Sequence, residues 1–455
     1  MNTHALPDTT PLIAYYGDDL TGSTAVMEAT AFAGLETVLF LDLPDAQRLA
    51  DFPHARVIGI AGDARARSPH WMQAHLPACF AALAQSGAPI LHYKVCSTFD
   101  SAPHIGSIGA AADIAAQHFE GVFPMVVGDL GMGRYQCFGH LFALSHGVPY
   151  RIDRHPVMAR HPITPMDEAD LTLHLQKQTD LPIGLIDFVT LHRGQAAELW
   201  QKRIRDGARI LSLDVVDHQS LVEVGKLIWE QSKAQRFCIG SQGLESALIA
   251  YWQDREWIDL LPPPPPAHAC DQILAVSGSV SPVTAVQIAQ ARAQGFAILP
   301  LDLAQLTEPN EHAAFCAKLY HHALEALQKG QDVLITSAEG PDGHAVTDFK
   351  QVLDRQATNA DQLNHTIGTT LGHLADRLLS AHPLQRLVIS GGDTSGRVAR
   401  TLGIDALTAL APMAPGAPLC RAHCQNASHH GLEVLLKGGQ VGGPDIFTRA
   451  KTGRA

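Results

Sequence analysis

Two adjacent carboxylates, Asp18 and Asp19, follow the apolar run IAYYG in the segment IAYYGDDLTGSTAVMEA. Acids between a strand and a helix can orient and deprotonate a hydroxyl, or serve as helix caps. Neighbouring side chains on extended backbone point to opposite faces, so one acid is expected to contact substrate while the other caps. A denser set lies in HYKVCSTFDS, where Lys94, Ser97, Thr98, Asp100 and Ser101 offer one cation and several hydroxyls to a small polyhydroxylated anion. Arg67 in RARSPH and Arg134 in GMGRYQ each occupy a loop after an apolar strand, and a guanidinium fork suits a carboxylate. HPITPMDEADL adds His161 and Thr164, which the flanking prolines can aim inward, ahead of a helix start at MDEADL.

The second half carries a different chemistry. ILAV-SGSVSP-VTAVQIAQA and RLVI-SGGDTSG-RVARTLG each read as apolar strand, Gly/Ser loop and helix. Unpaired N–H groups at a helix N-terminus favour an anion, and glycines let the backbone approach it, so Ser277, Gly278 and Ser279 form one candidate phosphate cradle. Gly391, Gly392, Asp393 and Thr394 form the other. Two cradles suggest a nucleotide, and cradles with carboxylates suggest phosphoryl transfer. APGAPL and LLKGGQVGG, the latter with Gly439, are further glycine-rich turns that can let a nucleotide lie close or simply turn the chain. Cys420, His423, Cys424, His429 and His430 match no standard zinc spacing and read as a polar loop ahead of the strand GLEVLL.

The elements that position these groups follow from hydrophobic pattern. ETVLFLD, ARVIGIAG, PILHYKV, MVVGDL, IGLIDFV, RILSLDVV and RFCIGS alternate with Ala-rich helical stretches, and DQILAVSGS, AILPLDL, DVLITSA and RLVISGG repeat the scheme. Short apolar strands alternating with helices predict an α/β fold, two domains each with a mainly parallel sheet flanked by helices. Five consecutive prolines, Pro262 to Pro266, cannot continue a helix or enter a central strand. The expected division is therefore residues 1–261, a connector at 262–268, and residues 269–455.

A chain of 455 residues exceeds one ordinary core, and a hydrophobic content of 46% can fill two. The formal charge of −12 and the absence of basic runs argue against nucleic acid as a partner. No apolar stretch is long enough to span a bilayer and the N-terminus lacks a signal-peptide pattern, so a cytoplasmic protein without membrane association is expected. The eight cysteines are scattered, as in proteins with reduced thiols. A homo-oligomer is compatible with the sequence, which does not define one.

In order along the chain, GDDLTG, Arg67-Ser68, YKVCSTFDS, Gly133-Arg134, HPITPM, the proline run, SGSVSP, SGGDTSG, APGAPL and LKGGQVG resemble the four-carbon acid-sugar kinase family, whose members include threonate, erythronate and 3-oxo-tetronate kinases. The resemblance runs from about Ile13 to Gly442. It implies a sugar-acid-binding N-terminal domain, an ATP-binding C-terminal domain, and phosphoryl transfer across the cleft between them with Mg²⁺ on the phosphates. Carried over by position, it puts Asp18, Asp19, Arg67, Lys94, Ser97, Thr98, Asp100 and Arg134 on the sugar-acid side, and Ser277, Gly278, Ser279, Gly391, Gly392, Asp393, Thr394 and Gly439 on the ATP side. In this reading Asp19 deprotonates the attacking hydroxyl, and Arg67, Arg134 or Lys94 holds the substrate carboxylate. Ser97, Thr98 and Asp100 read its hydroxyls, and Asp393 is an outer metal ligand. The chain departs from the family pattern where GGDT replaces GGET, and where Gly438, Gln440 and Val441 replace Ser, Asn and Phe. GSIG, Gly106 to Gly109, replaces GNIG one residue further on. Two alternatives stay open: an NAD(P)-dependent hydroxy-acid dehydrogenase, whose G-x-G-x-x-G fingerprint is missing, and a non-catalytic sugar-acid or nucleotide sensor.

Overall fold

The computed structural model describes residues 6–7, 11–145, 147–161, 163–231, 235–308, 310–340, 349, 352–353, 360–425 and 427–454. It separates into two compact units, Met1–Pro263 and Pro264–Ala455.

The first unit contains β1 (Ile13–Gly17), β2 (Thr37–Phe40), β3 (Val57–Ala61), β4 (Ile90–Lys94), β5 (Phe123–Val126), β6 (Arg134–Cys137), β7 (His140–Ser145), β8 (Val148–Arg151), β9 (Ile183–Ile186), β10 (Ile210–Leu213) and β11 (Arg236–Gly240). Eight of them run parallel in the order β2-β3-β1-β4-β11-β5-β10-β9. Helices cross over between successive strands, so β1, β4 and β10 are buried along their whole length and read as continuous apolar runs. Tyr16 stacks on Tyr93 with ring centroids 6.0 Å apart, and Phe80 meets Tyr93 and Phe237 edge-on in the core beneath.

A separate antiparallel sheet, β6-β7-β8, was not legible in the apolar pattern. Its strands are only partly buried, so they lack a continuous apolar signal. The β6–β7 turn puts Phe138 and Gly139 at φ 48° and 77°. The Asp214 carboxylate anchors this turn by accepting from both backbone N–H groups, at 2.6 and 2.9 Å. The helix expected at MDEADL starts later, at Leu171–Gln176, because Asp170 takes the N-cap and accepts from Thr172 N at 2.9 Å.

The second unit contains β12 (Leu274–Ser277), β13 (Ala297–Pro300), β14 (Val333–Thr336), β15 (Arg386–Ser390), β16 (Ile404–Ala414), β17 (Ala417–Cys424) and β18 (Glu433–Lys437). The order is β13-β14-β12-β15-β18-β17-β16, parallel as far as β18 and antiparallel beyond it. APGAPL is the hairpin turn between β16 and β17, with Gly416 at φ 77°. In the cysteine–histidine segment His423 Nε2 meets Thr408 Oγ1 at 3.0 Å and His429 Nε2 meets Asp376 Oδ1 at 2.7 Å. These partners lie apart, and among the described residues no three His, Cys, Asp or Glu side chains converge as metal ligands. Nor is any described helix long and apolar enough to cross a membrane.

Candidate functional site

Each unit presents its notable side chains where strand order reverses. In the first, the chain builds β2 and β3 on one side of β1 and then crosses to place β4 on the other. Crevices at the carboxyl ends of such strands are the usual ligand sites of open α/β sheets. Here Gly17 is in register with both Ala61 and Lys94, so the segments after β1, β3 and β4 emerge together.

Asp19 is the N-cap of helix Leu20–Phe32. Its Oδ1 accepts from Gly22 N at 2.9 Å and its Oδ2 from Thr21 Oγ1 at 2.7 Å. Asp18 is held by Arg65, whose Nε and Nη2 donate to its two oxygens at 3.1 and 2.6 Å. The same Nη2 lies 2.7 Å from Asp19 Oδ1. The expected split of the two acids onto opposite faces therefore fails, because β1 ends at Gly17 and the period-two alternation ends with it. Arg65 joins them, and it is not the arginine singled out from RARSPH. Arg67 instead pairs with Asp63 in its own loop and lies over the Trp71 ring at 5.3 Å. The spacing R-A-R offered two candidates, and only the turn Ala64–Ala66 decides which one faces the acids.

Lys94 is buried. A Cβ on Gly22 would stand 2.3 Å from Lys94 Nζ and 2.2 Å from Asp19 Oδ1, so glycine at this position lets the ammonium approach the cap. Burial pushes the Asp18 carboxyl up, with Asp19 adding to the rise against the pull of Arg65. For Asp19 burial works the same way, but Arg65, Lys94 and the bonds from Thr21 and Gly22 outweigh it and hold the group below the usual range. Asp19 is also the more accessible, with 22% of its side chain exposed against 5% for Asp18.

The loop after β4 supplies a third carboxylate. Asp100 accepts from Thr98 Oγ1 at 2.6 Å and from Thr164 Oγ1 at 3.3 Å. Thr164 N donates to His161 Nδ1 at 3.1 Å, and of the two residues it is Thr164 that bonds to CSTFDS, through Asp100. Against burial, Arg65 and the Thr98 bond hold Asp100 below the usual carboxylate range. Phe99 sits at φ 57°, a conformation that non-glycine residues rarely adopt and that clusters at functional sites. His174 Nε2 braces Ser101 Oγ at 3.0 Å, and burial pushes its pKa down to about 4. Gly106 of GSIG, at φ 59°, packs where a Cβ would meet Arg65 O at 2.5 Å. Ser97 is buried beside these groups. Arg134, at the start of β6, donates from Nη1 to Met132 O at 2.9 Å, while its buried Nε has no partner. Among the described residues no carboxylate lies within ion-pair distance of it, and burial lowers its pKa.

In the second unit the reversal falls between β12 and β15, where Ser277 is in register with Ser390 and Ser390 with Lys437. Ser281 caps helix Pro282–Ala293, and Pro282 occupies its first position, where a missing N–H costs nothing. Gly391 precedes helix Gly392–Thr401 at φ 120° and contributes no side chain, so that N-terminus is uncapped. Three turns close on one another. A Cβ on Gly278 would meet Thr394 Oγ1 at 2.1 Å, and one on Gly439 would meet Ser279 Oγ at 2.6 Å. Thr284 Oγ1 ties Ser279 Oγ and Gly439 O together at 3.0 Å each. A Cβ on Gly392 would meet nothing within 4 Å, and Asp393 beside it is exposed. Lys437, missed in the sequence, is fully buried behind these turns with Nζ 2.8 Å from Ser390 Oγ. Its signal was the lysine just before the glycines of LLKGGQVGG.

Comparison with known proteins agrees with this division. Residues 13–248 match the family described as a sugar-binding N-terminal domain, and residues 274–447 match a nucleotide-binding C-terminal domain. A 3-oxo-isoapionate kinase of Paraburkholderia graminis is 47% identical over 97% of this chain and 94% of its own length. A 3-oxo-tetronate kinase of Methylobacterium radiotolerans is 30% identical over 95% and 97%. Among solved structures, one from Salmonella typhimurium LT2 has a TM-score of 0.76 at 22% identity, covering 96% of this chain and 98% of the other, and shares the fold. A Haemophilus influenzae protein has a TM-score of 0.69 at 22% identity, over 96% and 99%. With family matches in both halves and full-length relatives that are sugar-acid kinases, this chain belongs to the four-carbon acid-sugar kinase family.

Proposed function

We propose that the protein is an ATP-dependent kinase that phosphorylates a hydroxyl of a 3-oxo sugar acid of the isoapionate or tetronate type, the first unit holding the acid and the second the nucleotide. The observation that carries the reading is the glycine-lined cradle around Gly278, Gly391 and Gly439, which has neither room for side chains nor a carboxylate cap at helix Gly392–Thr401. The 47% identity to a 3-oxo-isoapionate kinase favours that substrate over a 3-oxo-tetronate.

The acceptor hydroxyl attacks the γ-phosphorus in line. An O–P bond forms, the bond from phosphorus to the β–γ bridging oxygen breaks, ADP leaves, and the hydroxyl proton passes to a carboxylate. Asp19 is the accessible member of its pair and takes that proton late, as a loose transition state requires. Asp18 positions Arg65. Arg134, Arg67 and Lys94 are the cations available for the substrate carboxylate, and Arg134 fits best because no carboxylate pairs with it. Ser97, Thr98, Asp100, His161 and Thr164 face the remaining oxygens. Ser277, Ser279, Thr394 and the glycines hold the phosphates. Asp393, exposed beside the cradle, suits Mg²⁺, which keeps several waters and neutralises phosphate charge when bound. The dehydrogenase alternative fits poorly, because the Asp19 carboxylate occupies the helix N-terminus where a pyrophosphate would lie in the first unit.

The test is ADP release coupled to a dehydrogenase readout over 3-oxo-isoapionate, 3-oxo-tetronate, threonate, erythronate and a neutral tetritol. Turnover confined to the acids, strongest with a 3-oxo acid, is expected. Nucleotide binding without ADP release from any of them would instead establish the sensor reading.

A further inference from the structure

Lys437 is a buried cation without an anion. It ends β18 level with Ser390 of β15, and parallel register sends both side chains to the same face. Its Nζ donates to Ser390 Oγ at 2.8 Å and approaches Thr284 Oγ1 at 3.5 Å. Thr284 in turn contacts Ser279 Oγ and Gly439 O, so one ammonium lies behind three turns at once. The groups facing it are neutral: Ser390 from β15, and Thr284 from helix Pro282–Ala293. Asp393, in the first turn of helix Gly392–Thr401, is exposed, and among the described residues no carboxylate forms an ion pair with Lys437. An ammonium withdrawn from water without a counter-charge is costly, so its retention calls for an anion that arrives from outside.

We propose that Lys437 is the positioning cation of the nucleotide site, acting on the phosphates through the Ser390 and Thr284 hydroxyls rather than by direct contact. By donating to Ser390 Oγ it makes that oxygen an acceptor on its inner side and turns the serine O–H outward, towards a phosphate oxygen. The positive charge behind the cradle adds to the helix N-terminus in front of it. This inference rests on the nucleotide reading of the second unit. Burial alone lowers the lysine to about 8, so the charge is present at neutral pH and is lost just above it unless an anion holds the proton. Terminal phosphates are already mostly ionised at neutral pH, since their last ionisation lies near pH ~6.

The experiment is titration calorimetry of ADP and ATP into the full-length protein between about pH 7 and pH 10, for wild type, Lys437→Met and Lys437→Arg. Wild-type affinity is expected to fall as pH rises past about 8, whereas Lys437→Met should bind about 10- to 100-fold more weakly near pH 7, as for a lost charge-assisted contact, with a flat profile. Arginine does not titrate in this range, so Lys437→Arg should lack the alkaline fall. Without nucleotide, Lys437→Met should melt no lower than wild type near pH 7, because an uncompensated buried charge has been removed. Wild-type affinity and pH profile in Lys437→Met, or an unchanged alkaline fall in Lys437→Arg, would overturn the assignment while leaving the nucleotide site intact. Loss of binding in Lys437→Met together with a large drop in melting temperature would make the lysine structural. A wild type that binds neither nucleotide would remove the nucleotide reading as well.

Discussion

The two strand-order reversals have the same topology and opposite electrostatics. At the ends of β1, β3 and β4, Asp18, Asp19 and Asp100 are largely offset by Arg65 and Lys94, and helix Leu20–Phe32 is capped by Asp19. At the ends of β12, β15 and β18 there are serines, threonines, glycines and one lysine, and helix Gly392–Thr401 begins at a bare glycine. A compensated cluster holds its geometry before substrate arrives and can present a carboxylate to a hydroxyl. An uncompensated cradle has donors and positive potential to give to phosphates. In the proposed function, fold locates both sites and the charges at the strand ends decide which ligand each can take.

The largest expected effect comes from removing the charge of the more accessible acid. Asp19→Asn keeps a capping oxygen while abolishing the base, so kcat should fall by about 10²–10⁴ with little change in folding or ADP binding. Near-normal kcat would reduce Asp19 to a cap, and loss of turnover in Asp18→Asn instead would exchange their roles.

Compensation itself is broken by Arg65→Met, which leaves two carboxylates facing each other with Lys94 alone. Denaturant unfolding should show a loss of about 3 kcal/mol, the low end for breaking a buried pair, because Arg65 is a quarter exposed. A change below about 1 kcal/mol would mean that solvent screens this cluster as it does a surface pair. The cradle has no equivalent pair to lose.

His174 sharpens the first half of the comparison through pH. Its folded pKa of about 4 lies below the value of the unfolded chain, so the unfolded state binds the extra proton first as the medium acidifies. The stability contribution is present above about pH 6.5 and is lost as pH falls towards 4, by roughly 3 kcal/mol at most. His174→Gln should flatten that limb in urea unfolding measured across the window, and an unchanged acid limb would place the titration elsewhere.

The smallest effect separates ligand approach from protein strain in the cradle. Gly391, at φ 120°, cannot accept a side chain without strain, whereas Gly392 is helical and its Cβ would enter open space. Gly392→Ala should stabilise the free protein by about 0.4–1 kcal/mol while weakening ATP binding. Gain in stability with unchanged ATP affinity would mean that phosphates do not approach the backbone there.

Hydrophobic period and turn residues made the α/β class and most strands readable in advance, because these signals are local, whereas the strand order with its two reversals is a property of the assembled sheets. β6–β8 escaped because half-buried strands leave no unbroken apolar run, and their turn depends on Asp214, some 75 residues away in sequence. The same limit applied to the site. GDDLTG, CSTFDS, HPITPM and the two Gly/Ser turns announced polar chemistry at strand ends, since residue type and spacing are written in the chain. The meeting of HPITPM with Asp100, the choice of Arg65 over Arg67, the burial of Lys94 and the anion-free position of Lys437 were decided only when parallel strands brought distant segments level. Side-chain charge is a property of the sequence, but its partner and its exposure are properties of packing.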